Sequence, residues 1–188
     1  VSGLEALYSN VAGIAFTNKT EIIFSRSSWL ADIPINSFGF TQKISESGVL
    51  ALGISSMSIS DIDRTTTLLP DGGLGTFSIN STNINLGYAK SFSNSIYGGF
   101  AIKSIIEGTS DITASGIALD AGIQYITGKE DHIKFGISLK NVGPTMSFSG
   151  DGLSFRGQAP DLEYTMTLNQ RSQTFELPSL LNIGLAYD

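Results

Sequence analysis

With 188 residues, no cysteine, 15% charged residues and 11 basic against 17 acidic side chains, the chain is long enough for one domain, and nothing in its composition marks a second. The cysteine count excludes disulfides and thiolate metal sites, and a net charge of -6 without a visible basic patch argues against nucleic acid, which is held by clustered Lys and Arg. The charged fraction is well below the roughly 25% usual in soluble domains, yet no stretch approaches the roughly 20 apolar residues of a membrane helix, so any membrane role must use strands or a surface helix.

The opening VSGLEALYSNVAGIAF has neither the basic start nor the apolar centre of a signal peptide. The expectation is a chain that is cytoplasmic, processed or a piece of something longer. From about Thr20 onward strand periodicity dominates. Strands are predicted near 20–28, 33–44, 48–59, 82–91, 95–107, 112–127, 132–142, 162–170 and 179–188. The first, EIIFSRSSW, reads equally well on either phase. The fourth sets Ile84, Leu86 and Tyr88 against Asn83, Asn85 and Gly87, and the fifth sets Ile96, Phe100 and Ile102 against Tyr97, Gly99, Ala101, Lys103 and Glu107. In the sixth, Ile117, Leu119, Ala121, Ile123 and Tyr125 oppose Ala118, Asp120, Gly122 and Gln124. In the seventh, Ile133, Phe135, Ile137 and Leu139 oppose His132, Lys134, Gly136, Ser138 and Lys140. Lys90 breaks the pattern by continuing the apolar phase of Tyr88; beside a short turn, it can snorkel to headgroups.

The links at 44–47, 91–95 and 127–131 are short, whereas Ser60 to Ser81 and Val142 to Asp161 are long, with 28–32 read as longer and 108–111 fitting weakly. An up-and-down antiparallel meander whose two ends face different compartments has this asymmetry. A soluble sandwich would alternate in the same way. Three features favour lipid on the apolar faces. Several strands match the roughly 9–11 residues that cross a bilayer, the opposite faces are small and polar as in a hydrated or plugged lumen, and Trp29, Phe92, Tyr125 and Tyr187 sit near strand ends, where an aromatic girdle belongs.

The segments EALYSNVAGIAF, SSWLADIPINSFGF, INLGYAKSFSNSIYGGFAIKSIIE, ASGIALDAGIQYITG, IKFGISLKNVGPTMSFSG and ELPSLLNIGLAYD, in this order, resemble the PorV/PorQ family of outer-membrane barrels, related to the FadL-like fatty-acid transporters. Val11 stands where the family pattern has proline. The resemblance implies an all-β, antiparallel up-and-down transmembrane β-barrel of FadL-like type, with about 14 strands when intact. With nine predicted strands, this chain is expected to be an incomplete portion. One domain over 1–188 is expected, with 1–19 as a plug-like segment inside the barrel. The resemblance further implies the bacterial outer membrane as location, lipid as surroundings, and a part in type IX secretion through a protein partner, either a large translocon barrel or secreted cargo. The alternative is a FadL-like transporter of hydrophobic small molecules, disfavoured because the faces assigned inward are small and polar.

No cofactor, metal or catalytic residue is expected. His132 is the single histidine, beside the charged turn GKED, and a base needs a positioned nucleophile and an orienting partner. Neither G-x-S-x-G nor a P-loop occurs, and DGGLGTF at 71–77 lacks the Lys-Ser/Thr that a phosphate cradle needs. Asp61, Asp63 and Asp71 offer oxygen ligands, but their spacing is not that of an EF-hand loop and Arg64 stands among them. Lys103, Glu107, Asp120, Gln124, Lys134 and Lys140 form a lumen-facing polar wall if strands five to seven are neighbours, with opposite charges pairing across it. In the long loop, Leu68, Leu69, Leu74 and Phe77 are candidate anchors for a partner.

Overall fold

The structure, a computed structural model, describes residues 1–158 and 165–187. Two 3₁₀ turns, Leu4–Tyr8 and Val11–Phe16, precede β1 (Thr20–Ser28), β2 (Pro34–Lys43), β3 (Gly48–Asp63), β4 (Thr76–Ser91), β5 (Ile96–Gly108), β6 (Thr113–Thr127) and β7 (Ile133–Val142). An excursion then carries β8 (Met146–Ser149), β9 (Ser154–Gln158), β10 (Thr165–Asn169) and β11 (Thr174–Phe175) before β12 (Leu180–Tyr187). The main sheet is an antiparallel meander in the order β1-β2-β3-β4-β5-β6-β7-β12. Among the described residues it is an open sheet. Closure into a barrel needs the first and last strands to pair, and here β1 pairs only with β2 and β12 only with β7.

Strand lengths depart from the sequence reading mainly at the long loops. β3 runs on to Asp63 and β4 begins at Thr76, so the loop expected from Ser60 to Ser81 narrows to 64–75. A bulge between Ile59 and Ile62, with Asp61 at φ 59°, re-aims the end of β3 and lets the pair continue. The expected loop from Val142 to Asp161 contains β8 and β9. Of the strand expected at 162–170, residues 162–164 lie outside the described residues; 165–169 form β10, which pairs with β9 away from the main sheet. Asp188 also lies outside them. The turns 44–47, 92–95 and 128–132 all fall at one end of the meander, with the 64–75 loop and the excursion at the other. The links 29–33 and 109–112 on that second end are short as well.

Register aligns like with like. Phe40, Leu52, Leu86, Ile102 and Leu119 pair in sequence across five strands, forming one apolar row. On β1 the ambiguity disappears: Ile22 and Phe24 lie opposite Phe40 and Phe38, while Ile23 lies opposite Gly39. The two faces are buried in the reverse of the soluble order. Leu86 is 55% exposed, Phe100 53% and Ile123 58%, whereas Ala89, Ala101 and Ala118 on the other face are at most 1% exposed.

The small-residue face is covered by the N-terminal turns. Ala6, Leu7, Val11 and Ile14 pack on Val49, Ala51, Ala89 and Ala101. Each large apolar side chain removed from water there contributes about 1.5–3 kcal/mol. What lets the turns lie so close is a trough of residues with little or no side chain. Gly39 pairs with Gly53, Ala51 with Gly87, Ala89 with Gly99 and Gly99 with Gly122. A Cβ on Gly53 would stand 2.7 Å from Leu7 Cδ2, and one on Gly87 2.9 Å from Leu7 Cδ1.

Candidate functional site

Each of the six residues assigned to a polar wall lies on β5, β6 or β7, on the face that the N-terminal turns cover. Lys103 Nζ and Asp120 Oδ2 are 2.9 Å apart with side chains 13% and 5% exposed. Lys140 Nζ donates to the Tyr8 carbonyl at 2.7 Å, and Gln124 Nε2 to the Val1 carbonyl at 3.2 Å. Two of the six therefore hold the N-terminal segment. Glu107 stands apart toward the long-loop end, accepting from Ser81 Oγ at 3.4 Å. Lys134 lines, with Tyr8, Asn10, Lys140 and Gly184, a groove of about 530 Å³ between the N-terminal turns and β12.

The ion pair has a frame that the sequence reading missed. Leu119 pairs with Val142 but Ala121 with Leu139, so Lys140 and Asn141 together face Asp120 in a bulge. Asn141 adopts φ 58°, the left-handed region that Asn tolerates better than most residues. In that position its backbone N–H donates to Asp120 Oδ1 at 2.7 Å, and its side-chain oxygen accepts from Lys103 Nζ at 2.7 Å. Its Nδ2 donates to the Pro178 carbonyl at 3.2 Å, and the Asn141 carbonyl accepts from Ser179 Oγ at 3.3 Å. One asparagine thus ties both ends of the β7–β12 excursion to the ion pair.

Beyond the pair, a second apolar cluster covers the same face. Met146 sits 1% exposed against Ile105, Ala114 and Ala118, flanked by Phe148, Phe175 and Leu177. The face is therefore layered: N-terminal apolar cluster, ionic layer, loop-derived apolar cluster. Asn10 and Glu21 complete the seating of the N-terminus. Asn10 Oδ1 accepts from Ala12 N–H as the cap of the second turn, and its Nδ2 donates to the carbonyls of Ile123 and Ile137 at 3.2 Å each. Glu21 Oε2 accepts from Leu4 N–H at 2.8 Å. Partial burial pushes the Tyr8 phenol above its ordinary pKa. The only sequence signal for Asn10 was its place before an apolar run, as at a helix start.

The trough yields a prediction with its own control. A Cβ on Gly122 would collide with the Asn10 side chain, whereas one on Gly184 meets nothing within 4 Å. Gly122→Ala is expected to lower unfolding free energy by about 1–3 kcal/mol, as overpacking does, and to expose residues 1–16 to protease. Gly184→Ala is expected to stay within about 0.5 kcal/mol. Equal midpoints for both in a denaturant titration would show that the N-terminal turns are not seated on Gly122.

At the opposite end, Leu68 is 90% exposed, Leu69 49% and Leu74 48%. Reciprocal hydrogen bonds between Thr66 and Leu69, and one from Arg64 N–H to the Gly75 carbonyl, shape this loop. Phe77, expected in the loop, belongs to β4 opposite Ile62, with the Arg64 guanidinium 5.9 Å from its ring centroid. Arg64 also pairs with Asp111 at 2.9 Å, and the Asp111 carbonyl accepts from Gly152 N–H, bracing the loop against its neighbours. Among the described residues no three His, Asp or Glu side chains converge as a metal site. His132 packs edge-on against the Tyr187 ring at 5.2 Å. Comparison with family models, with curated proteins and with solved structures finds no match for this chain.

Proposed function

We propose that this chain is a wall section of a bacterial outer-membrane β-barrel of the PorV/PorQ type, acting without catalysis in type IX protein secretion by holding the translocon or its cargo. The observation that carries the membrane half is the inverted burial. A row of Leu, Ile and Phe stands in the open while alanines and glycines are packed. In water, contiguous apolar surface beyond a few hundred Å² is rare on a monomer, and in a bilayer it is the expected exterior. Strands such as β4 and β5, running Thr76–Ser91 and Ile96–Gly108, are long enough to cross. The free edges of β1 and β12 fit a wall that further strands complete.

The partner-holding half rests on the layered face and the loop end. Two apolar clusters and an ion pair cover the small-residue face from β3 to β6, which favours holding a partner over passing a hydrophobic small molecule. Leu68 and Leu69 stand on a braced loop, the placement that suits apolar anchors.

Cell fractionation of the intact protein, followed by gel migration with and without heating, tests the membrane half. Outer-membrane recovery with heat-modifiable migration is expected; recovery in the soluble fraction without detergent would overturn it. Pull-down of the membrane-embedded protein should then return a large barrel or an exported protein, and Leu68→Asp/Leu69→Asp should reduce that recovery. Binding of radiolabelled fatty acid with no protein partner would instead support transport of small molecules.

A further inference from the structure

The apolar face is not uniform. Gly98 on β5 lies opposite Ile123, and Ala121 on β6 lies opposite Phe100, so two positions with little or no side chain fall on a diagonal across adjacent strands. They leave a slot of about 690 Å³, walled by Tyr88 and Phe100 on one side and by Ile123, Ile137 and Leu139 on the other. At the short-turn end of the slot stands Lys90, in register with Gly98, its ammonium 5.9 Å from the Phe92 ring centroid. It is exposed, and it is the one cation on the apolar phase of β4. Phe92 and Tyr125, both exposed, mark the same level.

We propose that this slot binds one anionic phospholipid, an acyl chain lying over Gly98 and Ala121 and the phosphate meeting Lys90. The inference rests on the membrane reading above and adds a site to it. Three features specify the occupant. The slot walls are almost wholly apolar, so they take hydrocarbon. Its single charge is positive and at the rim, where a headgroup sits when the chain is in the slot. The adjoining aromatic ring lies at the level where Trp, Tyr and Phe meet headgroups. A second copy of this chain would place its own apolar face here and leave Lys90 without an anion.

The test uses the full protein purified from membranes in mild detergent, then reconstituted into vesicles of phosphatidylethanolamine alone or mixed with phosphatidylglycerol. Lipid retained after re-extraction is identified by native mass spectrometry. The parent should retain phosphatidylglycerol selectively, and Lys90→Gln should cut that selectivity about five-fold, which is what one basic side chain near an anionic surface contributes. Gly98→Leu, which fills the slot, should lose both lipids. Equal retention of the two lipids by the parent, unchanged selectivity in Lys90→Gln, or a dimer cross-linked through β5 and β6 would each overturn the site while leaving the membrane reading intact. A protein that fractionates as soluble overturns the membrane reading first and the site with it.

Discussion

Lys103→Met is expected to cost about 3–5 kcal/mol of unfolding free energy, the usual consequence of leaving one member of a buried ion pair alone. Asp120, 5% exposed, would keep the Asn141 N–H as a hydrogen-bond donor but lose its paired cation, between two apolar clusters. The matching double variant, Lys103→Met with Asp120→Leu, is expected to recover most of the loss. Replacing both charges by apolar groups of similar size removes the desolvation cost together with the attraction. Circular dichroism during urea unfolding reads both. If the single variant unfolds within about 0.5 kcal/mol of the parent, as exposed pairs do, the layer is wet and the two clusters do not seal it.

The second large effect concerns the apolar row. Ile102→Arg, midway along β5 in the row from Phe40 to Leu119, is expected to cost about 2–4 kcal/mol in a bilayer, and Ile96→Arg, beside the short turn, about 0–1 kcal/mol. Both side chains are about equally exposed, at 45% and 43%. In water, substitutions at such sites would fall within about 0.5 kcal/mol and show no dependence on depth. Unfolding in bilayers of defined composition, with the two variants side by side, measures the gradient. Two equal small costs would place the row in water.

Much of the sheet could be read in the sequence because alternation over ten or more residues leaves one phase possible. β6 and β7 are the clearest cases: Ile117 to Tyr125 and Phe135 to Leu139 take the exposed phase and the residues between them the covered one. β1 was ambiguous because both Ile22 and Ile23 are apolar; only Gly39 across the ladder, with Leu4 against it, decides the phase. The start of β4 was missed because Ser78, Asn80 and Ser81 interrupt the apolar signal, and pairing with β3 makes that segment a strand. The polar wall was legible as a face, and Lys103 with Asp120 as members of it. Asn141 was not, since one asparagine carries no periodicity and its role depends on a one-residue mismatch between β6 and β7. The same holds for Asn10, whose partners lie on two distant strands.

The contacts of that N-terminal segment also fix an order of assembly. Asn10 bonds to carbonyls 113 and 127 residues away, and Tyr8 accepts from a lysine 132 residues on. The meander itself can zip hairpin by hairpin, since each strand up to β7 pairs with its sequence neighbour, and such local pairing is fast. Closing a loop of more than a hundred residues is slower and comes only when β6 and β7 exist to receive it. Residues 1–16 therefore leave the ribosome before the strands they pack on and find their places last. Until then Leu4, Leu7 and Ile14 have no surface to cover, and the nascent chain is the form most in need of a holding chaperone.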